Sequence, residues 1–254
     1  MASYIARYQS GEYEQVWAEL TALGEQVRQE HILPDALAVA YETMRRVRHN
    51  AEIIAVRLPS IGYRFGYEAD EDEEEDSLVA PCSPPSPDAA EQVAELESLV
   101  GPLPLSLCAW YEIGGSVDFI GFHKLWPSIY SDPLVIGSVE YALGECRDWQ
   151  DQVSENGLDE VGSYEVDIAP DFYHKNNESG GGPYQIELPC TATDALLLYE
   201  WHDVNFVEYL RGCFRWGGFP GFDISHPMNP NHLNADAIMP PEHLALLTAG
   251  LLPI

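Results

Sequence analysis

Histidines beside carboxylates are the residues of this chain whose types could do chemistry. His202 and Asp203 are adjacent, His226 and His232 flank Pro-Met-Asn-Pro-Asn, and His174 lies upstream. Imidazole and carboxylate are ordinary ligands for zinc or iron, so His202, Asp203, His226 and His232 make a candidate metal set and the basis of a metal-dependent enzyme reading. Their spacing fits no short metal motif. Separate loop histidines are the stronger reading, and no cofactor is expected. The chain has no GxxxxGK[ST], no strand-linked GxGxxG, no GxSxG and no HExxH, so phosphate-loop, dinucleotide, hydrolase-elbow and zincin chemistry lack their marks. Gly180 to Pro183, GGGP, is followed by no Lys and no helix start, and reads as a flexible hairpin turn. Five cysteines are scattered without a CxxC pair, which suits reduced thiols in a cytoplasm.

Charge is the abnormal property. Twelve Lys and Arg stand against 42 Asp and Glu, a formal charge of −30. Such a surface repels phosphates and anionic lipid, so nucleic acid and membrane are not expected as partners. A basic protein partner, a bound cation or plain solubility remain open. No run of about 18 apolar residues occurs, and residues 1–13 have no apolar stretch of signal-peptide length. Eight of the acids fall between Glu68 and Asp76. Within that run Glu71, Glu73, Glu74 and Glu75 are candidate partner-binding residues. Aromatic anchors enrich binding surfaces but also fill cores. Trp126 beside Pro127 and Phe219 beside Pro220 each sit in a loop and are the aromatics expected to be exposed, hence candidate contacts. Trp110, Tyr111, Phe119 and Phe222 are expected mostly in the core.

The elements that must position these residues fall into three segments. Residues 1–67 read as a helical hairpin: Gly11 to Arg28 and Pro34 to Leu58 carry apolar residues every three or four positions. An Arg45, Arg46, Arg48, His49 cluster lies on the second helix, either a solvated face, a docking face or a grip on the acidic linker. Residues 68–88 combine the acid run with Pro81, Pro84, Pro85 and Pro87, and read as an extended linker. From 89 the chain is globular. Ala89 to Val100 is amphipathic with Asp88 as its cap. Leu105 to Ile113 is a short helix stopped by Gly114 and Gly115, and Val117 to Gly121 is expected to open a sheet. Val139 to Gln152 is helical. SYEVDI and YQIEL alternate as strands. Thr193 to Glu200 is ambiguous, Val204 to Arg215 is a helix capped by Asn205, and His243 to Leu252 is a last short helix.

The helix AEQVAELESLVG, the LPLSLCAWYEIGGSV turn from Leu-Pro through a helix to Gly-Gly, and the late aromatic helix NFVEYLRGCF are three pieces of residues 89–222. Together they resemble the SUKH superfamily, the SMI1/KNR4-like proteins. The resemblance implies an α+β fold with a mixed or antiparallel sheet flanked by helices, here preceded by a helical hairpin and followed by an extension to 254. It also implies a non-enzymatic module of the immunity or antitoxin kind, which neutralises a toxin that is often a nuclease, or else a scaffold domain in a larger assembly. The charge agrees with the first: 26 acids against 5 bases over 77–254 complement a basic cleft.

Overall fold

In the third helix Val39, Ala40, Met44, Val47, Ala51 and Ile54 recur every three or four residues, and all are buried. That face is the spine of the molecule. The computed structural model describes residues 3–67, 80–126 and 129–254. Three helices open it: α1 (Tyr4–Gln9), α2 (Tyr13–Ala22) and α3 (Leu33–Arg57). The expected helix over Gly11 to Arg28 stops early, because Gly24 takes a left-handed φ of 54° and a 3-10 turn follows. Asp35, on the first turn of α3, accepts hydrogen bonds from the free N–H groups of Tyr4 and Ile5 (3.1 Å for Ile5) and so caps α1. Buried Trp17 of α2 donates to Thr43 of α3 at 3.1 Å.

The chain then forms β1 (Arg64–Phe65) and β2 (Cys82–Ser83), followed by α4 (Ala89–Val100) and α5 (Leu105–Ala109). A wide π turn over Trp110–Gly114 leads into β3 (Ser116–Asp118), β4 (Gly121–Phe122) and β5 (Val135–Ile136). The proline-rich half of the expected linker therefore contributes a strand. Its prolines flank the two-residue β2 rather than interrupt it, and the Pro81 carbonyl accepts from Asp118 N–H at 3.0 Å. The expected first strand at Val117 is the centre of the β2–β3–β5 sheet, preceded in sequence by two others. Gly115 is required at this corner: φ is +79°, and a Cβ would lie 2.2 Å from the Ser83 carbonyl oxygen.

Next come α6 (Val139–Asn156), α7 (Leu158–Val161), β6 (Tyr164–Ala169), β7 (Tyr184–Leu188), α8 (Phe206–Arg215) and α9 (Pro241–Thr248). The fold is α+β. In place of one flanked sheet, the described residues form three short antiparallel ladders, β1–β4, β2–β3–β5 and β6–β7. Thr193 to Glu200 is neither helix nor regular strand; it makes isolated bridges at Gln185–Leu198 and Leu196–Asn205. Asn205 does not cap α8 through its side chain. Buried Asp194 does so instead, accepting from Val207 N–H at 3.1 Å and from the Ser106 hydroxyl at 2.7 Å. Burial pushes the Asp194 carboxyl up to about 6.

The hairpin, the body and the C-terminal segment share one buried apolar cluster from Tyr8 to Ile254. The arginine-rich face of α3 takes part in it. Arg48 donates to the carbonyls of Ser83 (3.0 Å) and Gly114 (2.6 Å), and Arg57 to those of Leu247 (3.2 Å) and Ala249 (2.7 Å). Arg46 pairs with Glu42 and reaches the Pro253 carbonyl at 3.0 Å. Buried Asn50 exchanges two hydrogen bonds with Leu252. Among the described residues, no helix is long and apolar enough to cross a membrane. All five cysteines are free.

Candidate functional site: an anionic aromatic cleft

β6 and β7 alternate inward and outward. Tyr164, Val166, Ile168, Tyr184, Ile186 and Leu188 are buried, which leaves Glu165, Asp167, Gln185 and Glu187 on the open face. Glu165 and Glu187 are register partners, two like charges placed directly opposite. The partners of these acids are all neutral. Tyr199 OH donates to Glu165 (3.2 Å), the Gln185 amide to Asp167 (2.6 Å) and the Ser163 hydroxyl to Glu187 (3.1 Å). Burial raises the Asp167 carboxyl. Burial and then the charge of Asp167 raise that of nearby Glu145.

A register shift between Asp167 and Ala169 bulges β6 and leaves the Ile168 carbonyl to accept from Gly137 N–H at 3.0 Å. Past that bulge the face runs into a cleft of about 540 Å³ lined by Asp171, Phe172, Tyr173, Gly181, Gly182, Gln185 and Tyr199. One wall is the loop from 170 to 183. Asp171 Oδ1 accepts from the N–H groups of Tyr173 (2.7 Å) and His174 (3.2 Å), and Oδ2 from His174 Nδ1 (2.6 Å). This grip starts the short 3-10 turn His174–Asn176 and turns Lys175 inward. The other wall repeats the device: Glu200 accepts from His202 N–H (2.8 Å) and His202 Nδ1 (2.5 Å). That turn aims Trp201 inward.

Both walls end on one carboxylate. Lys175 Nζ meets Asp132 Oδ1 at 2.6 Å, with both side chains fully buried. Tyr184 OH and Trp201 Nε1 donate to Oδ2, each at 3.2 Å. A buried charge pair with this many hydrogen bonds fixes geometry more than it adds net stability. Backbone strain gathers at the same place. Among the described residues the non-glycine residues with positive φ are Asp132 (50°), Asn177 (59°), Tyr199 (65°) and Asp203 (56°); Asp132 is the anchor, Asn177 and Tyr199 belong to the walls, and Asp203 follows the Glu200–His202 turn. A left-handed tyrosine costs about 1–2 kcal/mol, and strain of this kind concentrates at functional sites.

No protein-family model, curated protein or solved structure matches this chain.

The residues singled out from sequence are distributed unevenly. Glu71, Glu73, Glu74 and Glu75 lie outside the described residues. Trp126 and Phe219 are not exposed: they retain 6% and 0% of their accessible surface. A neighbouring proline in the sequence does not decide which way a ring turns, and both rings turn inward. Trp126 packs on His123 (4.6 Å), Phe222 (4.9 Å) and Phe219 (5.3 Å), and Phe219 also meets Tyr63 (5.2 Å). They are core residues rather than surface contacts.

The four metal candidates are not assembled either. His202 and His226 approach each other and Trp201, with His202 stacked on Trp201 at 3.5 Å and the two imidazoles 5.2 Å apart. Glu200 occupies Nδ1 of His202, His232 faces the Ile224 carbonyl at 3.2 Å, and Asp203 points from an exposed turn. Among the described residues no three His, Cys, Asp or Glu converge as a metal set. The GGGP segment borders the cleft, and Gly181 lies against the Asp171 carboxylate, where a Cβ would approach to 2.7 Å. A carboxylate beneath the glycines makes this a poor seat for phosphate.

Proposed function

We propose that this protein is a non-enzymatic binding module of the SUKH-like immunity or antitoxin kind, which captures a basic protein, a nuclease-type toxin, on the cleft and open face of β6–β7. The observation that carries the reading is the uncompensated charge there: Glu165, Asp167 and Glu187 meet only neutral groups. The wider segment 129–204, with α6 and α7, holds 16 acids and two bases, Arg147 and Lys175. Arg147 pairs with Glu95 at 2.8 Å and Lys175 is buried on Asp132. The surface acids are thus free to meet an outside cation.

Glu165 facing Glu187 disfavours the free protein, and a cation between them relieves that repulsion. Such a field speeds encounter and selects against acidic partners more than it adds affinity. The acid run at 68–76 adds charge of the same sign. The family resemblance supports the immunity role through LPLSLCAWYEIGGSV and NFVEYLRGCF. The test is capture from the native host, with the partner's charge examined and the binding repeated with Glu165→Gln/Asp167→Asn/Glu187→Gln. A basic partner whose binding weakens in that variant supports the reading. An acidic partner, or turnover of a small molecule by the purified protein, would overturn it.

A further inference from the structure

We propose that the cleft beside the open face takes the guanidinium of an arginine presented by the basic partner, which makes it the specificity pocket of the surface described above. This rests on the preceding reading but is separable from it. The argument begins with the walls. Phe172 and Tyr173 lie 4.3 Å apart at 37° and offer flat ring surface, and Tyr130 holds both from the side by edge contacts at 5.4 and 5.5 Å. Tyr199 adds a third ring that is 65% exposed. Gly181 and Gly182 have no side chains to fill the volume.

Aromatic faces attract cations through their quadrupoles, most strongly where water is partly excluded. The polar groups present match a cation as well. Asp171, its oxygens held by the N–H groups of Tyr173 and His174 and by His174 Nδ1, lines the cleft. Glu165 beside it accepts from the Tyr199 phenol, and the Gln185 Nε2 donates to neighbouring Asp167, which leaves its carbonyl oxygen as an acceptor. An anion would meet carboxylate, and an apolar group would leave Glu165 and Asp167 at the edge of the cleft without a counter-charge. Between the two cationic side chains, the planar and weakly hydrated guanidinium stacks on rings, whereas an ammonium is compact and strongly hydrated. The left-handed Tyr199, at φ 65°, is held in a costly conformation that keeps its ring at the mouth.

The test compares hexa-arginine, hexa-lysine and neutral hexa-citrulline peptides by calorimetric titration of the full chain at low salt. Hexa-arginine is expected to bind about tenfold more tightly than hexa-lysine, with hexa-citrulline far weaker. Tyr199→Gly relieves the positive φ and so keeps the fold, which a thermal melt checks. It should bring hexa-arginine to within about twofold of hexa-lysine, as should Tyr173→Ala. Equal binding of the two cationic peptides, or a preference that survives both substitutions, overturns the pocket while leaving the anionic face in place. Failure of both cationic peptides to bind overturns the pocket and the face together.

Discussion

On α3, Arg46, Arg48 and Arg57 each end on a main-chain carbonyl of the same chain. On the β6–β7 face, Glu165, Asp167 and Glu187 end on a phenol, an amide and a hydroxyl. Of only 12 basic residues in 254, these three arginines and Lys175 are placed where they close the fold: around the C-terminal segment, at the β2–β3 corner, and under the cleft. The acids of the open face, Glu165, Asp167 and Glu187, are left without a cationic partner. Charge that is matched inside a protein holds it together, and charge left unmatched on a shaped surface is available to another molecule. Substitutions in the two regions should therefore differ in sign as well as size.

The largest effect is expected at the anchor. Lys175→Met strands the buried Asp132 carboxylate and should lower unfolding free energy by about 3–5 kcal/mol in urea denaturation. A loss below about 1 kcal/mol would mean that Asp132 does not organise the walls. Asp194 provides an internal acid for contrast. Its folded pKa, about 6, lies above the ordinary carboxyl value of 3.8. The neutral form is favoured on folding, so its contribution is full below about pH 4 and is lost as pH rises through about 6. Two units correspond to about 3 kcal/mol. The stability of Asp194→Asn relative to the native chain should therefore rise across that interval and level off above it. A flat difference would count against burial of the charge.

Arg48→Ala removes two carbonyl contacts and the ion pair with Glu52 at 2.8 Å, and should cost about 1–3 kcal/mol, of which only the share of the half-exposed ion pair shrinks with added salt. Glu187→Gln should do the reverse. Relief of the cross-strand repulsion should raise stability by about 0.2–1 kcal/mol, an increment that added salt shrinks. Destabilisation by Glu187→Gln would show that the face is already compensated.

Much of the frame was readable from the residues. The alternation of YEVDI and YQIEL identified both strands of the cleft floor, and the apolar spacing of Phe206, Tyr209, Leu210 and Phe214 identified α8. Proline misled in two ways. It marked Trp126 and Phe219 as loop residues, which says nothing about which way a ring turns, and it hid β2, whose two residues lie between prolines. The anchor was hidden by distance, because Asp132 and Lys175 are 43 residues apart. One signal was available: Lys175 is the only base between Arg147 and Arg211. A lone cation in so acidic a stretch is a candidate counter-ion for a buried acid. The strained Tyr199 left no trace, because a left-handed tyrosine breaks the local preference that sequence reading relies on.

The association rate of the captured basic partner, measured against ionic strength for the native chain and for Glu165→Gln/Asp167→Asn/Glu187→Gln, tests the central claim most directly. The account predicts a rate about tenfold or more lower for the variant at low salt, with the two curves converging as salt screens the face. Equal rates at every ionic strength, with the variant folded, would contradict it.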